Sequence, residues 1–256
     1  MKSPVVTLLT DFGTRDPFVG VMKGVILGIC PSAQMVDLTH EVPPQAVMAG
    51  AYLLRTSIDY FPKGTIHLCV VDPGVGSARK CVALKSQGHF FVGPDNGLFS
   101  AALKGRGIEQ VVELTDKKFQ LSHPSTTFHG RDIFAPAAGH LARGGPFLKL
   151  GNCINHWIWR ELPKPFKTKA GWSGEVLWVD RFGNLITNLE AKHFPKPFRM
   201  KVGKTVILNL ASHYAEAKKG AFMALVGSSG TLEISVNGGN AAQKLGARIG
   251  MSVVLG

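Results

Sequence analysis

A carboxylate and a guanidinium seven residues apart, Asp72 and Arg79, bracket the glycine-rich turn of VVDPGVGSAR (70–79). Such a pair can orient a water molecule or hold a polar ligand. Pro73 fixes one dihedral, while Gly74 and Gly76 permit positive φ and a close approach of backbone N–H groups. The same residues also suit an ordinary turn with an exposed, weakly stabilising ion pair, and the segment alone does not separate the two readings. Three more loops carry functional groups after apolar runs: TDFGTRDPF (10–18), GPDNG (93–97) and FHGRD (128–132). Asp11 directly follows the first apolar run, where helix capping does not call for it. Asp16 precedes Pro17 and suits either an N-cap or a ligand contact. His129 taken alone is more often structural than catalytic.

The elements that must carry these loops follow from hydrophobic periodicity. VVTLLT (5–10) reads as a strand, and Asp16-Pro17 as the N-cap and first residue of a helix with Phe18, Val21, Met22, Val25, Ile26 and Ile29 at helical spacing. AQMVDLT, a helix carrying Val47, Ala51, Leu54 and Ile58, and TIHLCVVD repeat the strand–helix–strand order. CVALKS and HFFVGP read as an antiparallel hairpin, GLFSAALKG as a short helix, and Ile133 to Leu141 as a further helix. In open α/β sheets, ligands collect beyond the carboxyl ends of the strands, where the loops above begin. Residues 146–171 are rich in proline and lysine and read as a linker. GEVLWVD, NLITNL, TVILNL, FMALVG, TLEISVN and MSVVLG then follow as short strands. The fold expected is an α/β N-terminal domain (1–160) with a mostly parallel mixed sheet, and a smaller all-β, barrel-like C-terminal domain (161–256). Trp157, Trp159, Trp172 and Trp178 cluster around this division and read as packing residues.

Composition narrows the function. Cys30, Cys69, Cys81 and Cys153 form no CxxC pair and read as reduced core residues, so neither a metal site nor a disulfide is expected. The N-terminal segment lacks the apolar core of a signal peptide and the apolar runs are too short to span a bilayer, so a cytoplasmic protein without a membrane partner is expected. The net charge of +12 raises the question of nucleic acid. Its densest stretch, 160–204, holds ten Lys or Arg against four Asp or Glu but no run of five like charges. A solvated basic face is the better reading, and no nucleic-acid partner is expected. Phosphate-cradling motifs are missing too: no GxGxxG is complete, and VGKT (202–205) lacks the P-loop's upstream glycine because Phe198 stands there. No GxSxG elbow is present.

Taken together in order, these loops and the segments DRFGNLITN (180–188) and GSSGTLEISVNGGNAA (227–242) resemble the S-adenosyl-L-methionine (SAM) hydroxide adenosyltransferase family. These are adenosine-forming SAM hydrolases, related to the SAM-dependent fluorinase and chlorinase. The resemblance spans nearly the whole chain. It implies a homotrimer whose sites lie between the N-terminal domain of one subunit and the C-terminal domain of its neighbour, with SAM as substrate and no cofactor. The hydrolase signature falls on Asp72, Arg79 and His129, a set that the halogenating relatives lack in full. By the same resemblance Asp11 holds the ribose diol, and Asp16, Asp180 and Ser228 hold the methionine amino and carboxylate groups. It also places Asn184 and the backbone near Val236 to Gly238 against adenine or its surroundings. Ser229 stands where the halogenases carry arginine and offers a neutral hydrogen bond.

The implied chemistry suits the groups. A sulfonium is already an excellent leaving group, so what the protein must do is hold water about 3 Å from C5′ in line with the C–S bond. Asp72 would take the water's proton late in the reaction, Arg79 would hold Asp72, and His129 would orient the water or relay the proton. Three competing functions are compatible with these residues: halide transfer to C5′, a non-catalytic SAM or adenosine binding module, and an RNA-associated protein.

Overall fold

The computed structural model describes residues 3–194 and 197–256, so Lys196 of the basic stretch lies outside the described residues. The chain divides into two compact units, Met1–Leu162 and Pro163–Gly256.

The first unit runs β1 (Val5–Thr10), α1 (Phe18–Ile29), β2 (Gln34–Thr39), α2 (Val47–Ser57), β3 (Ile66–Val70), β4 (Cys81–Ser86), β5 (His89–Pro94), α3 (Leu98–Ala102), β6 (Gln110–Glu113), α4 (Ala135–Ala142) and β7 (Asn152–Cys153). The sheet order is β2-β1-β3-β5-β4-β6-β7. The first four strands are parallel, and β4, β6 and β7 join antiparallel neighbours. The expected mixed, mostly parallel sheet is thus present, including the β4–β5 hairpin. Alternation along the strands divides the core between the two faces. Val6, Leu8, Ile66 and Leu68 pack with Met22 and Ile26 of α1 and with Phe134 and Ala138. On the opposite face Leu9 and Val71 meet Gly50 of α2 and Leu98 of α3. Helices on both faces leave the carboxyl ends of the parallel strands as the open rim.

The structure corrects several expectations. α1 begins at Phe18 with Pro17 in the cap position and no side-chain cap, so Asp16 does not cap it. The stretch beginning at residue 146 is no linker up to residue 162: Leu150 is buried, β7 extends the sheet, and Ile158 and Arg160 bond to Asp95 and Ser100. Of the cysteines, Cys30 and Cys69 are buried, but Cys81 is half-buried and Cys153 exposed, although all four are free thiols.

The second unit comprises β8 (Phe166–Thr168), β9 (Gly171–Val179), β10 (Leu185–Glu190), β11 (Met200–Val202), β12 (Thr205–Ile207), β13 (Phe222–Val226), β14 (Thr231–Val236), α5 (Ala241–Leu245) and β15 (Ser252–Leu255). Its antiparallel order is β12-β11-β15-β9-β10-β14-β13, with β8 on β9. Beyond β12, Ala211 N–H donates to Ala224 O at 2.8 Å and Ala224 N–H donates to Asn209 O at 2.9 Å, nearly closing a barrel around Val176, Leu185, Leu232, Ile234 and Val253. Trp172 packs against this core and meets His193 in a tilted ring contact with centroids 4.3 Å apart. The short strands β8 and β11 and the helix α5 had no periodic signal of their own.

Candidate active site

Asp11 and Asp72 leave the carboxyl ends of β1 and β3, which pair directly with Thr10 opposite Val70. The sharp turn after β3 returns Arg79 to Asp72. At Gly76, φ is +78°, and a Cβ would sit 2.3 Å from Thr126 O, so only glycine lets this turn lie against the segment that leads to His129. That segment enters a π-helical turn, Gly130–Phe134, of the kind that recurs at functional sites. Asp132, 1% exposed, anchors it by accepting from Ser125 N–H at 2.8 Å and from Arg131.

Asp72, Arg79 and His129 meet there, although the last is 50 residues beyond Arg79. Arg79 Nε donates to Asp72 Oδ1 at 2.9 Å, and Nη2 donates to Asp72 Oδ2, forming a bidentate fork. Nη2 also lies 2.7 Å from His129 Nδ1. Nη1 reaches Cys81 Sγ at 2.8 Å and Lys80 O at 3.4 Å, and Phe134 lies under the guanidinium at 5.3 Å. All five guanidinium hydrogens are therefore directed at acceptors. The Asp72 and Arg79 side chains are only 5% and 7% exposed, which removes the reading of this pair as a surface ion pair.

This arrangement has electrostatic consequences for each group. Arginine cannot accept a hydrogen bond, so His129 Nδ1 carries a lone pair and Nε2 carries the proton. Burial and then the Arg79 charge hold the His129 pKa below its ordinary 6.5, keeping the ring neutral. For Arg79 burial is the largest single influence and opposes the charge, but the hydrogen bonds and charge interactions with Asp72 and Cys81 together outweigh it and raise the pKa. Burial pushes the Cys81 thiol up despite the pull of Arg79, so sulfur meets the guanidinium as a thiol.

Beside the cluster lies a cavity of about 190 Å³ lined by Phe12, Phe18, Val70, Asp72, Val75, Thr127, Phe128, His129 and Gly130. Phe12, Phe18 and Phe128 contact one another edge to face, with centroids 5.2–5.9 Å apart. Sequence reading missed these apolar residues as site components. The available signal was their place beside the polar groups of loops 10–18 and 128–132. The fourth loop, GPDNG, serves the scaffold instead, with Asp95 accepting from Ile158 N–H and Asn96 donating to Val71 O.

The remaining candidates are more dispersed. Asp11 Oδ2 accepts from Gln45 N–H at 2.8 Å, and Asp16 is exposed before α1. In the barrel, Asp180 Oδ1 accepts from Phe182 and Asn184 N–H, while Oδ2 accepts from Asn184 Nδ2, all at 2.8–2.9 Å. Asp180 and Asn184 thus lock the β9–β10 turn, whose Gly183 abuts the Asn240 side chain. Leu185 pairs with Ile234 and Glu190 with Thr231. Val236 and Gly238 therefore lie at the Asp180 end of β14, while exposed Ser228 and Ser229 lie about 17 Å away at its other end. Among the described residues, no group of three or more His, Cys, Asp or Glu side chains is placed to hold a metal, and no helix is long and apolar enough to cross a membrane.

A doubly covered sheet with a carboxylate–guanidinium–imidazole cluster at its open rim, joined to a β-barrel unit, defines a two-unit α/β protein built to position a small polar molecule beside an apolar cavity. Comparison narrows this class. The SAM hydroxide adenosyltransferase N-terminal domain matches residues 6–151, and the C-terminal domain of the same family matches residues 174–254. The chain belongs to the SAM hydroxide adenosyltransferase family. It is 39% identical to a Thermus thermophilus (R)-S-adenosyl-L-methionine hydrolase, with 98% of each chain covered. A Nocardia brasiliensis fluorinase is more distant, at 26% identity over 98% of this chain and 96% of its own. A crystal structure of an uncharacterized conserved protein from Thermotoga maritima superposes with a TM-score of 0.90 at 35% identity, covering 98% of this chain and all of the other.

Proposed function

We propose that this protein is a SAM hydrolase, forming adenosine and L-methionine by in-line attack of water on ribose C5′. The observation that carries the reading is the Asp72–Arg79–His129 cluster, with the Asp72 and Arg79 side chains buried and His129 half-buried, opening onto the apolar cavity. Each Asp72 oxygen takes one hydrogen bond from Arg79, which leaves one lone pair on each for water. His129, with its proton on Nε2, donates to that water and orients it. Asp72 takes the proton as the C–O bond forms, and the pair on the C–S bond leaves with methionine sulfur. The geometry favours orientation by His129 over proton relay, because its Nδ1 is already engaged. A halide would meet the Asp72 carboxylate at this cavity and be repelled.

In this reading Asp11 holds the ribose diol, while Asp16, Asp180, Ser228 and Ser229 meet the methionine end. Asn184, Val236 and Gly238 meet adenine. Of the methionine-end residues, Ser228 and Ser229 lie at one end of β14, and Asp180 lies at the other beside Asn184, Val236 and Gly238. The barrel of a neighbouring copy supplies its residues to each site in a homotrimer, SAM being substrate and no cofactor taking part. Purified protein incubated with SAM and chloride tests the chemistry: adenosine and methionine are expected, and Asp72→Ala should yield far less. A 5′-chloro nucleoside, or bound SAM without product, would refute it. Mixing Asp72→Asn with Asp180→Ala subunits tests the assembly. Random exchange restores roughly one intact site in four if sites are shared between neighbours, and none if each site is built within one chain.

A further inference from the structure

The mechanism leaves unused a polar chain behind Asp11 that is buried at Thr10 and His40 and reaches the surface at Asp37. His40 is 5% exposed and Thr10 is fully buried. Thr10 Oγ1 lies 2.9 Å from His40 Nδ1, and His40 Nε2 lies 3.1 Å from Asp37 Oδ1 at a skewed angle. Lys23 Nζ donates to the other Asp37 oxygen at 2.7 Å. A carboxylate only accepts, so the nitrogen facing it carries the ring proton, and Nδ1 accepts from the Thr10 hydroxyl. That hydroxyl oxygen in turn accepts from Phe12 N–H at 3.3 Å. The order threonine, histidine, aspartate suggests a nucleophile, but no substrate atom can reach a hydroxyl with no exposed surface.

What the chain touches is the loop bearing Asp11. The same arm grips that loop through its backbone: Gly13 N–H donates to His40 O at 2.8 Å and Val42 N–H to Thr10 O at 3.4 Å. Gln45, held at φ +66°, donates its N–H to Asp11 Oδ2. A non-glycine residue keeps such a backbone conformation only where its surroundings fix it. Asp11 thus has one oxygen committed to the arm, and the other is aimed by a loop tied down on both sides.

We propose that Thr10, His40 and Asp37 are positioning residues that aim the free oxygen of Asp11 at a vicinal diol of the ligand. This rests on the reading of Asp11 as the ribose contact. The chain acts on recognition of the sugar and not on the water at Asp72, so its loss should raise KM and leave kcat close to wild type.

Binding of adenosine and of 2′,3′-dideoxyadenosine to the full-length protein, measured by calorimetry alongside SAM turnover, tests this. The wild type should prefer adenosine. In Thr10→Val that preference should shrink by about tenfold, the scale of one hydrogen bond to a charged group, and Thr10→Ser should restore it. His40→Asn, which can still present an acceptor to Thr10, should fall between them. A general loss of folding would weaken both nucleosides alike. An undiminished preference in Thr10→Val would overturn the positioning role while leaving Asp11 as the ribose contact. A wild type without any preference would overturn the Asp11 reading and the proposal with it.

Discussion

The rim of the first unit and the turns of the barrel carry candidate residues of similar types, yet they use their polar atoms in opposite ways. Asp72, Arg79 and His129 converge from separate segments, the first two with buried side chains and the third half-buried, and still leave lone pairs and an N–H directed outward. Asp180 and Asn184 are four residues apart and satisfy one another within a single turn, while Ser228 and Ser229 stand exposed on a hairpin tip. The first arrangement is pre-organised for chemistry, because charge and geometry are fixed before any ligand arrives. The second is organised first for its own fold and offers contacts at its margin. Catalytic power should therefore concentrate in the rim, and barrel substitutions should act on binding and stability.

The largest effect that would sharpen this contrast is on Asp72. Asp72→Asn keeps the shape but removes the proton acceptor, and the rate should fall by about 10²–10⁴, as measured by adenosine release. Arg79→Lys comes next: a point charge cannot replace a fork that meets Asp72, His129 and Cys81 together, so kcat should drop by about tenfold to a hundredfold with the protein still folded. In the barrel, Asp180→Ala removes the acceptor for three donors and should cost about 1–3 kcal/mol in denaturant unfolding of that unit. Ser228→Ala should leave stability within about 0.5 kcal/mol and raise KM only. A Ser228→Ala variant that lost kcat as severely as Asp72→Asn would break the division of labour.

Acidity separates site from scaffold in a second way. Protonated His129 would set N–H against the Arg79 N–H, so activity should rise with pH through a value below 6.5, the direction in which its pKa is displaced, and stay level above it. Stability should respond to His67, whose pKa burial and then the neighbouring His89 lower to about 3. Unfolded chains bind that proton below pH 6.5 while the folded state does not, so stability is full above 6.5 and falls by about 1.4 kcal/mol per pH unit toward 3. Urea unfolding at stepped pH reads this slope, which His67→Phe should flatten.

The same contrast explains what the chain made legible. Strong local signals carried through: the β4–β5 hairpin, the strand–helix alternation and the turn at Asp72 were readable because periodicity and turn chemistry are local. α1 starts one residue late because Pro17 takes the cap position, which leaves Asp16 without a capping role. The proline-rich stretch after residue 146 resembled a linker because its anchoring partners, Asp95 and Ser100, lie about 60 residues away in sequence. His129 was ambiguous as a lone histidine and gains its meaning only from Arg79. Cys81 looked like core, and nothing in its neighbours signalled that it would accept the last guanidinium hydrogen. In the barrel, which end of β14 lies beside Asp180 is set by the β10–β14 register, which the run TLEISV does not reveal without its partner.

The measurement that reaches the central claim most directly is SAM turnover in ¹⁸O-labelled water, followed by mass analysis of both products. Attack of a water held by Asp72 on C5′ predicts one labelled oxygen in adenosine, none in methionine, and loss of that labelled product in Asp72→Asn. Unlabelled adenosine, or undiminished labelling in Asp72→Asn, would contradict the account.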